Sequence, residues 1–134
     1  MVQIAGVYQH QKNENLKEFV MAIGENAEFA TKADAATSSM EFVVSGDNYT
    51  VKNVYPDKTV TFSFTLGAEF DDPMPTGISF KSVATLNGNT IAVKTFLNGA
   101  QIGYRNYDFS DSGCVITMGA TATTHVAKRI YSRQ

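Results

Sequence analysis

The chain has 134 residues, enough for one domain with a real core and too few for two. Its 11 basic and 13 acidic side chains leave a net charge of −2. There is thus no cationic excess to neutralise nucleic-acid phosphates and no basic run to hold a membrane surface. The single cysteine, Cys114, cannot form an internal disulfide, which fits a reducing compartment. The opening "MVQIAGVYQHQKNEN" has no basic segment followed by a long apolar one, so neither a signal peptide nor a membrane span is expected. The expectation is one cytoplasmic domain over residues 1–134.

"IAGVYQHQ" reads as a first strand. In "NENLKEFVMAIGEN", Leu16, Phe19, Val20 and Ile23 recur at helical spacing and form one stripe. Asn15 with Glu18 resembles a capping box, and Gly24 suits the left-handed position after the helix. Asn26 is placed to cap a second short helix over "AEFATKADA". From there the period changes to two. "SMEFVV", "NYTVKNV", "KTVTFSFTL", "AEFDD", "ISFKSVATL", "NTIAVKTFL", "QIGYRNYDF", "CVITMGATA" and "THVAKRIY" read as strands, separated by turn signals such as "SGDN", "YPDK", "LNGN" and "LNGA". About ten short antiparallel strands with one helical pair inserted after the first fit an all-β barrel or sandwich.

Two strands do not suit a solid core. "QIGYRNYDF" places polar groups on both faces, with Tyr104, Asn106 and Asp108 on one and Arg105 and Tyr107 on the other. In "HVAKRIYSRQ", simple alternation buries Val126 and Ile130 and leaves Arg129 and Tyr131 outside. A closed barrel around a wet cavity accounts for such strands, and so does a sandwich with exposed edges.

Several stretches resemble the intracellular lipid-binding proteins, the family of fatty-acid-binding and cellular retinoid-binding proteins. These are the opening "IAGVYQHQKNENLKEFVMAIG", "FSFTLGAEFDD" beside the family's "ISFKLGEEFDE", "SFKSVATLNGN", and the Arg-x-Tyr of "AKRIYSRQ". The resemblance implies an all-β, ten-stranded antiparallel clam of two five-stranded sheets, lidded by a helix-turn-helix between the first two strands. It implies a monomeric carrier with no cofactor, no metal and no catalysis. Its ligand is a long-chain fatty acid or similar hydrophobic molecule, and transient membrane contact through the lid is expected.

The family's head-group pair falls on Arg129 and Tyr131. An arginine inside a barrel needs a partner, and a carboxylate supplies one through the planar guanidinium fork. In an ungapped reading the family's second arginine position holds Asn106, a neutral head-group contact. Arg105 then points outward, unless a bulge near residues 98–103 turns it in. The apolar wall is expected from Met40, Tyr55, Phe62, Phe64, Tyr104 and Met118. Leu16, Val20, Phe29 and Ala33 are expected under the lid, with Pro75 and Thr76 in the opposite rim loop. Asp57 stands where many members place a portal aromatic, and Lys17, Lys32 and Lys58 lie around that portal. Asn106 and Asp57 leave a retinoid or other neutral lipid as the alternative ligand, and a lipid-dependent interaction module as a third reading. His10 and His125 are far apart and belong to no nucleophile motif, and "EFDD" reads as a structural hairpin.

Overall fold

The period-two segments pair into one ten-stranded antiparallel sheet that curls into a nearly closed barrel. The computed structural model describes residues 2–73 and 79–134. The strands are β1 (Gly6–Glu14), β2 (Ser39–Ser45), β3 (Asn48–Val54), β4 (Thr59–Thr65), β5 (Glu69–Pro73), β6 (Ser79–Asn87), β7 (Thr90–Leu97), β8 (Ala100–Phe109), β9 (Gly113–Ala120) and β10 (Ala127–Arg133). Two helices, α1 (Leu16–Ala22) and α2 (Ala27–Ala35), lie between β1 and β2. The spatial order is β4-β3-β2-β1-β10-β9-β8-β7-β6-β5, so β1 and β10 are neighbours in the interior of the sheet and β4 and β5 are the two edges. These edges face each other without a hydrogen-bonded ladder. Side chains close the seam: Phe62 stacks on Phe70 at 6.1 Å, and Phe64 meets Phe70 at 5.2 Å.

The interior is aromatic because inward positions of successive strands carry rings. Phe42 packs edge-on against Tyr8, Tyr107 and Phe109, and Tyr49 stacks on Phe64. Such pairs are worth about 0.5–1.5 kcal/mol beyond the area they bury. A second apolar cluster, of Leu16, Phe19, Val20, Ala30 and Ala127, seats the helices on the barrel end. Short helices need this support, since isolated segments of one or two turns do not hold in water.

The two helix caps differ from each other. Asn26 Oδ1 accepts from the Phe29 amide at 2.8 Å, as its position predicts. Asn15 does not cap α1. It adopts a left-handed conformation (φ 58°) and its Nδ2 donates instead to the Val126 carbonyl at 3.1 Å. The side chain thereby ties the lid to the segment entering β10, a contact 111 residues distant in sequence. Gly24, at φ +107°, ends the helical turn as expected.

Gly113 starts β9 hard against β10, where an added Cβ would collide with the Tyr131 carbonyl. Gly113→Ala is expected to cost about 1–3 kcal/mol, the usual scale of overpacking, as measured by urea denaturation.

Candidate functional site

A bulge decides which side chains of β8 face inward. The β7–β8 register runs Thr95↔Gly103 and then Phe96↔Gln101, leaving Ile102 without a partner in the ladder. The extra residue resets the alternation. Arg105, opposite Val93, and Tyr107, opposite Ile91, therefore share the inner face with Phe109. Asn106 alternates with them and lies on the outer face, across from Ala92 and Thr117. Tyr104 is also outside, its ring filling the space over Gly119 where a side chain would stand. The ungapped expectation for Asn106, and the wall position expected for Tyr104, are corrected by this single inserted residue.

Arg105 is only 16% exposed at its side chain, and Asp72 of β5 is 2% exposed. Their contact is bidentate, with Nη1 to Oδ2 at 2.5 Å and Nη2 to Oδ1 at 3.0 Å. Nε donates to the Tyr107 hydroxyl at 2.8 Å. Ser82 on β6 donates to Asp72 Oδ2 at 2.7 Å, and its hydroxyl meets that of Thr95 on β7 at 3.0 Å. A polar row thus crosses β5, β6, β7 and β8. Burial works against the Arg105 charge, but Tyr107 and Asp72 outweigh it and hold the guanidinium above its ordinary range. Burial also raises the Tyr107 phenol, against the pull of Arg105. The guanidinium lies 5.3 Å from the Phe62 ring on β4, so it touches both sides of the β4–β5 seam.

β10 carries the second polar cluster. Ala127, Arg129 and Tyr131 are on its inner face, Tyr131 is 4% exposed, and Val126 is 42% exposed. The alternation rule based on Val126 and Ile130 is thus reversed, because the inside of this barrel is partly polar. Arg129 Nη2 donates to the Ala36 carbonyl at 3.2 Å, and its Cζ stands 5.8 Å from the Tyr131 ring. The Tyr131 hydroxyl meets Ser38 Oγ at 3.4 Å. Burial raises the Tyr131 phenol while Arg129 pulls it down. His10 on β1 sits directly across from Tyr131, edge-on at 5.4 Å. Its imidazole is held below the ordinary value of 6.5, chiefly by burial.

Met40, Phe62 and Phe64 are buried in the main core, and Met118 packs against it from the lid side. Leu16 and Val20 of α1 are buried in the cluster at the barrel end, with Phe29 and Ala33 of α2 at its margin. Tyr55 is half-buried just past β3, with the Lys58 ammonium 5.6 Å over its ring. Pro75 and Thr76 lie outside the described residues. Two shallow clefts, of about 250 and 330 Å³, lie at the β4–β5 seam and on the outer face of β6 and β7. Sequence reasoning missed Asp72, Ser82, Thr95 and Tyr107. It also dismissed His10, whose ring meets Tyr131 of β10 and bonds Asn13 of its own strand, and whose amide donates to Ser38 of the α2–β2 connection. The one available signal was "EFDD", where Asp72 alternates with Phe70 and so shares its inward face.

No protein-family model matches the chain. It is 30% identical over 129 residues to the liver fatty acid-binding protein of Sus scrofa, covering 96% of this chain and all of that one. It is 29% identical over its full length to a fatty acid-binding protein of Tyrophagus putrescentiae. Among solved structures, a fatty acid transporter described as REP1-NXSQ superposes with a TM-score of 0.86 at 25% identity, covering 98% of this chain and 96% of that one.

Asp72→Ala strips a buried cation of its partner and is expected to destabilise the fold by about 3–5 kcal/mol. The double variant Asp72→Leu/Arg105→Leu is expected to recover most of that loss in the same denaturation assay, because neither charge of the pair is then left buried without the other. His10 supplies a pH signature. Its folded proton affinity is lower than its unfolded one, so the unfolded state takes up the proton first as pH falls. Stability is therefore expected to be full above 6.5 and to decline below it, and His10→Phe should flatten that part of the profile.

Proposed function

Because the chain belongs to the intracellular lipid-binding protein family, that of the fatty-acid-binding proteins, we propose that it carries a long-chain fatty acid inside the barrel, with the carboxylate on Arg129 and Tyr131. The observation that carries this reading is the contrast between the two inward arginines. Arg105 is already neutralised by Asp72. Arg129 has one backbone carbonyl for a partner and, among the described residues, no carboxylate. A guanidinium offers five N–H donors, so most of its capacity is open to a ligand. A carboxylate brought in by a fatty acid meets that charge, and the Tyr131 hydroxyl adds a third contact. One uncompensated interior cation corresponds to one anionic head group per barrel.

The apolar chain of the ligand then lies against Met40, Phe62, Phe64 and Met118. Met adapts to varied acyl shapes because its side chain is flexible and polarisable. Entry is past the helices, whose stripe of Leu16, Val20, Phe29 and Ala33 is in apolar contact with the barrel end. Transient membrane contact of this lid belongs to the same reading. Its lysines give that contact limited support, since Lys32 is engaged by Glu28 at 3.2 Å. The protein acts as a cytoplasmic monomer, without catalysis.

A neutral lipid is the second reading. Asn106 does not support it, because that residue is on the outer face. The Arg105–Asp72 pair supports it instead, by cancelling one of the two charges that would favour an acid. Mass spectrometry of lipid extracted from the protein separates the two, because a set of exclusively neutral ligands rules out the acid. Arg129→Ala is expected to weaken oleate binding by about 1.5–3 kcal/mol, the scale of a hydrogen bond to a charged group, as read by isothermal titration calorimetry. An unchanged affinity places the carboxylate elsewhere.

A further inference from the structure

Two buried polar atoms have no hydrogen-bond partner among the described residues: His10 Nδ1 and Arg129 Nε. Both flank Tyr131, with the imidazole 5.4 Å from its ring centre and the Arg129 Cζ 5.8 Å from it. Leaving such atoms unanswered is costly, and the other buried side-chain polar atoms of the described residues are paired. Two buried polar atoms without a protein partner thus stand beside one ring.

The hydrogen-bond pattern defines what that group must be. Asn13 Nδ2 donates to the Asp34 carbonyl at 3.0 Å and approaches Asp34 Oδ1 at 3.3 Å. With its amide nitrogen committed to two acceptors, Asn13 turns Oδ1 toward His10 Nε2, 2.7 Å away. Nε2 must then carry the proton. In the neutral imidazole this leaves Nδ1 as a bare acceptor lone pair. Burial favours the neutral form and, with the neighbouring Arg129 charge, outweighs Asn13, the Lys12 backbone and Asp34, which favour the charged one. Arg129 Nε–H is a donor only. A single group that answers both must donate to one atom and accept from the other. A carboxylate, which only accepts, leaves Nδ1 unanswered. A hydroxyl does both.

We propose that His10 Nδ1 and Arg129 Nε form a hydroxyl-reading site beside the carboxylate position, so that the preferred ligand is a fatty acid bearing a hydroxyl close to its head group. The inference rests on the carboxylate lying at Arg129 and Tyr131, since that placement puts the hydroxyl on carbon 2 or 3 of the chain. In the bound state the ligand O–H donates to Nδ1 and the same oxygen accepts from Nε–H.

The test is calorimetric titration with palmitate, 2-hydroxypalmitate and 3-hydroxypalmitate. At least one hydroxy acid is expected to bind about fivefold to tenfold tighter than palmitate, the scale of one net hydrogen bond. In His10→Phe, which keeps a ring against Tyr131 and removes the acceptor, that ratio should fall to about one. A readout that needs no variant is the ¹⁵N resonance of His10 Nδ1 in the unsubstituted protein. It should move upfield with the hydroxy acid and stay in place with palmitate. Equal affinities for all three acids, with an unmoved resonance, overturn the proposal while leaving the carrier reading intact. Failure of all three acids to bind overturns both.

Discussion

A guanidinium taken out of water needs a carboxylate held at its own depth, and in this barrel Asp72 answers Arg105 from three strands away. The cost of isolating either charge is several kcal/mol even after relaxation. That cost constrains everything between them. β8 must present Arg105 inward, β5 must present Asp72 inward, and the intervening strands must offer something polar in the gap. Ser82 and Thr95 meet the last condition with small hydroxyls that fit the inner face. The Ile102 bulge meets the first. The ion pair is thus less a source of net stability than a condition on register: a β8 shifted by one residue would put Asn106 opposite Asp72 and turn the cation out to solvent.

Interior polarity is divided between two clusters with opposite characters. The Arg105 cluster is closed, since its donors and acceptors are matched within the protein. The Arg129 cluster is open, with a lone cation, a phenol, a hydroxyl and an imidazole that together exceed what they give one another. The closed cluster borders the β4–β5 seam, where Phe62 and Phe70 stack across two unladdered edges. The open cluster borders the β1–β10 ladder, away from the seam and beside the connection that leads from the helices into β2. A barrel interior built this way concentrates its chemical demand at one end of the polar zone.

Much of the fold was legible because its signals are local. Alternation and turn residues identify the strands, and the i, i+3, i+4 stripe of Leu16, Phe19 and Val20 identifies α1. Asn26 caps α2 because capping depends on the next three residues only. What was not legible depends on distant partners. Asn15 has the right identity and spacing for a cap, yet it bonds across to Val126. Asn106 and Arg105 are both polar and adjacent, and a single unpaired residue in β8 decides which faces in. His10 is unremarkable in sequence because Tyr131, whose ring it meets, and Ser38, whose carbonyl accepts from its amide, are 121 and 28 residues away. The Arg-x-Tyr ending carried Arg129 and Tyr131 to the inner face where alternation alone had placed them outside.

The strand order has a consequence for how the chain can be cut and joined. Every ladder but one links strands that follow each other in sequence. The exception is β1 with β10. The connection from β4 to β5, by contrast, crosses a seam that no ladder spans. A circular permutant that began at β5, ran through β10 into β1 and finished at β4 would therefore trace the sheet from one edge to the other as a continuous meander. All its pairings would become sequence-local, apart from the helical insertion before β2. Folding rates rise as contacts become more local, so this rearrangement would keep the same barrel while removing its most demanding loop closure.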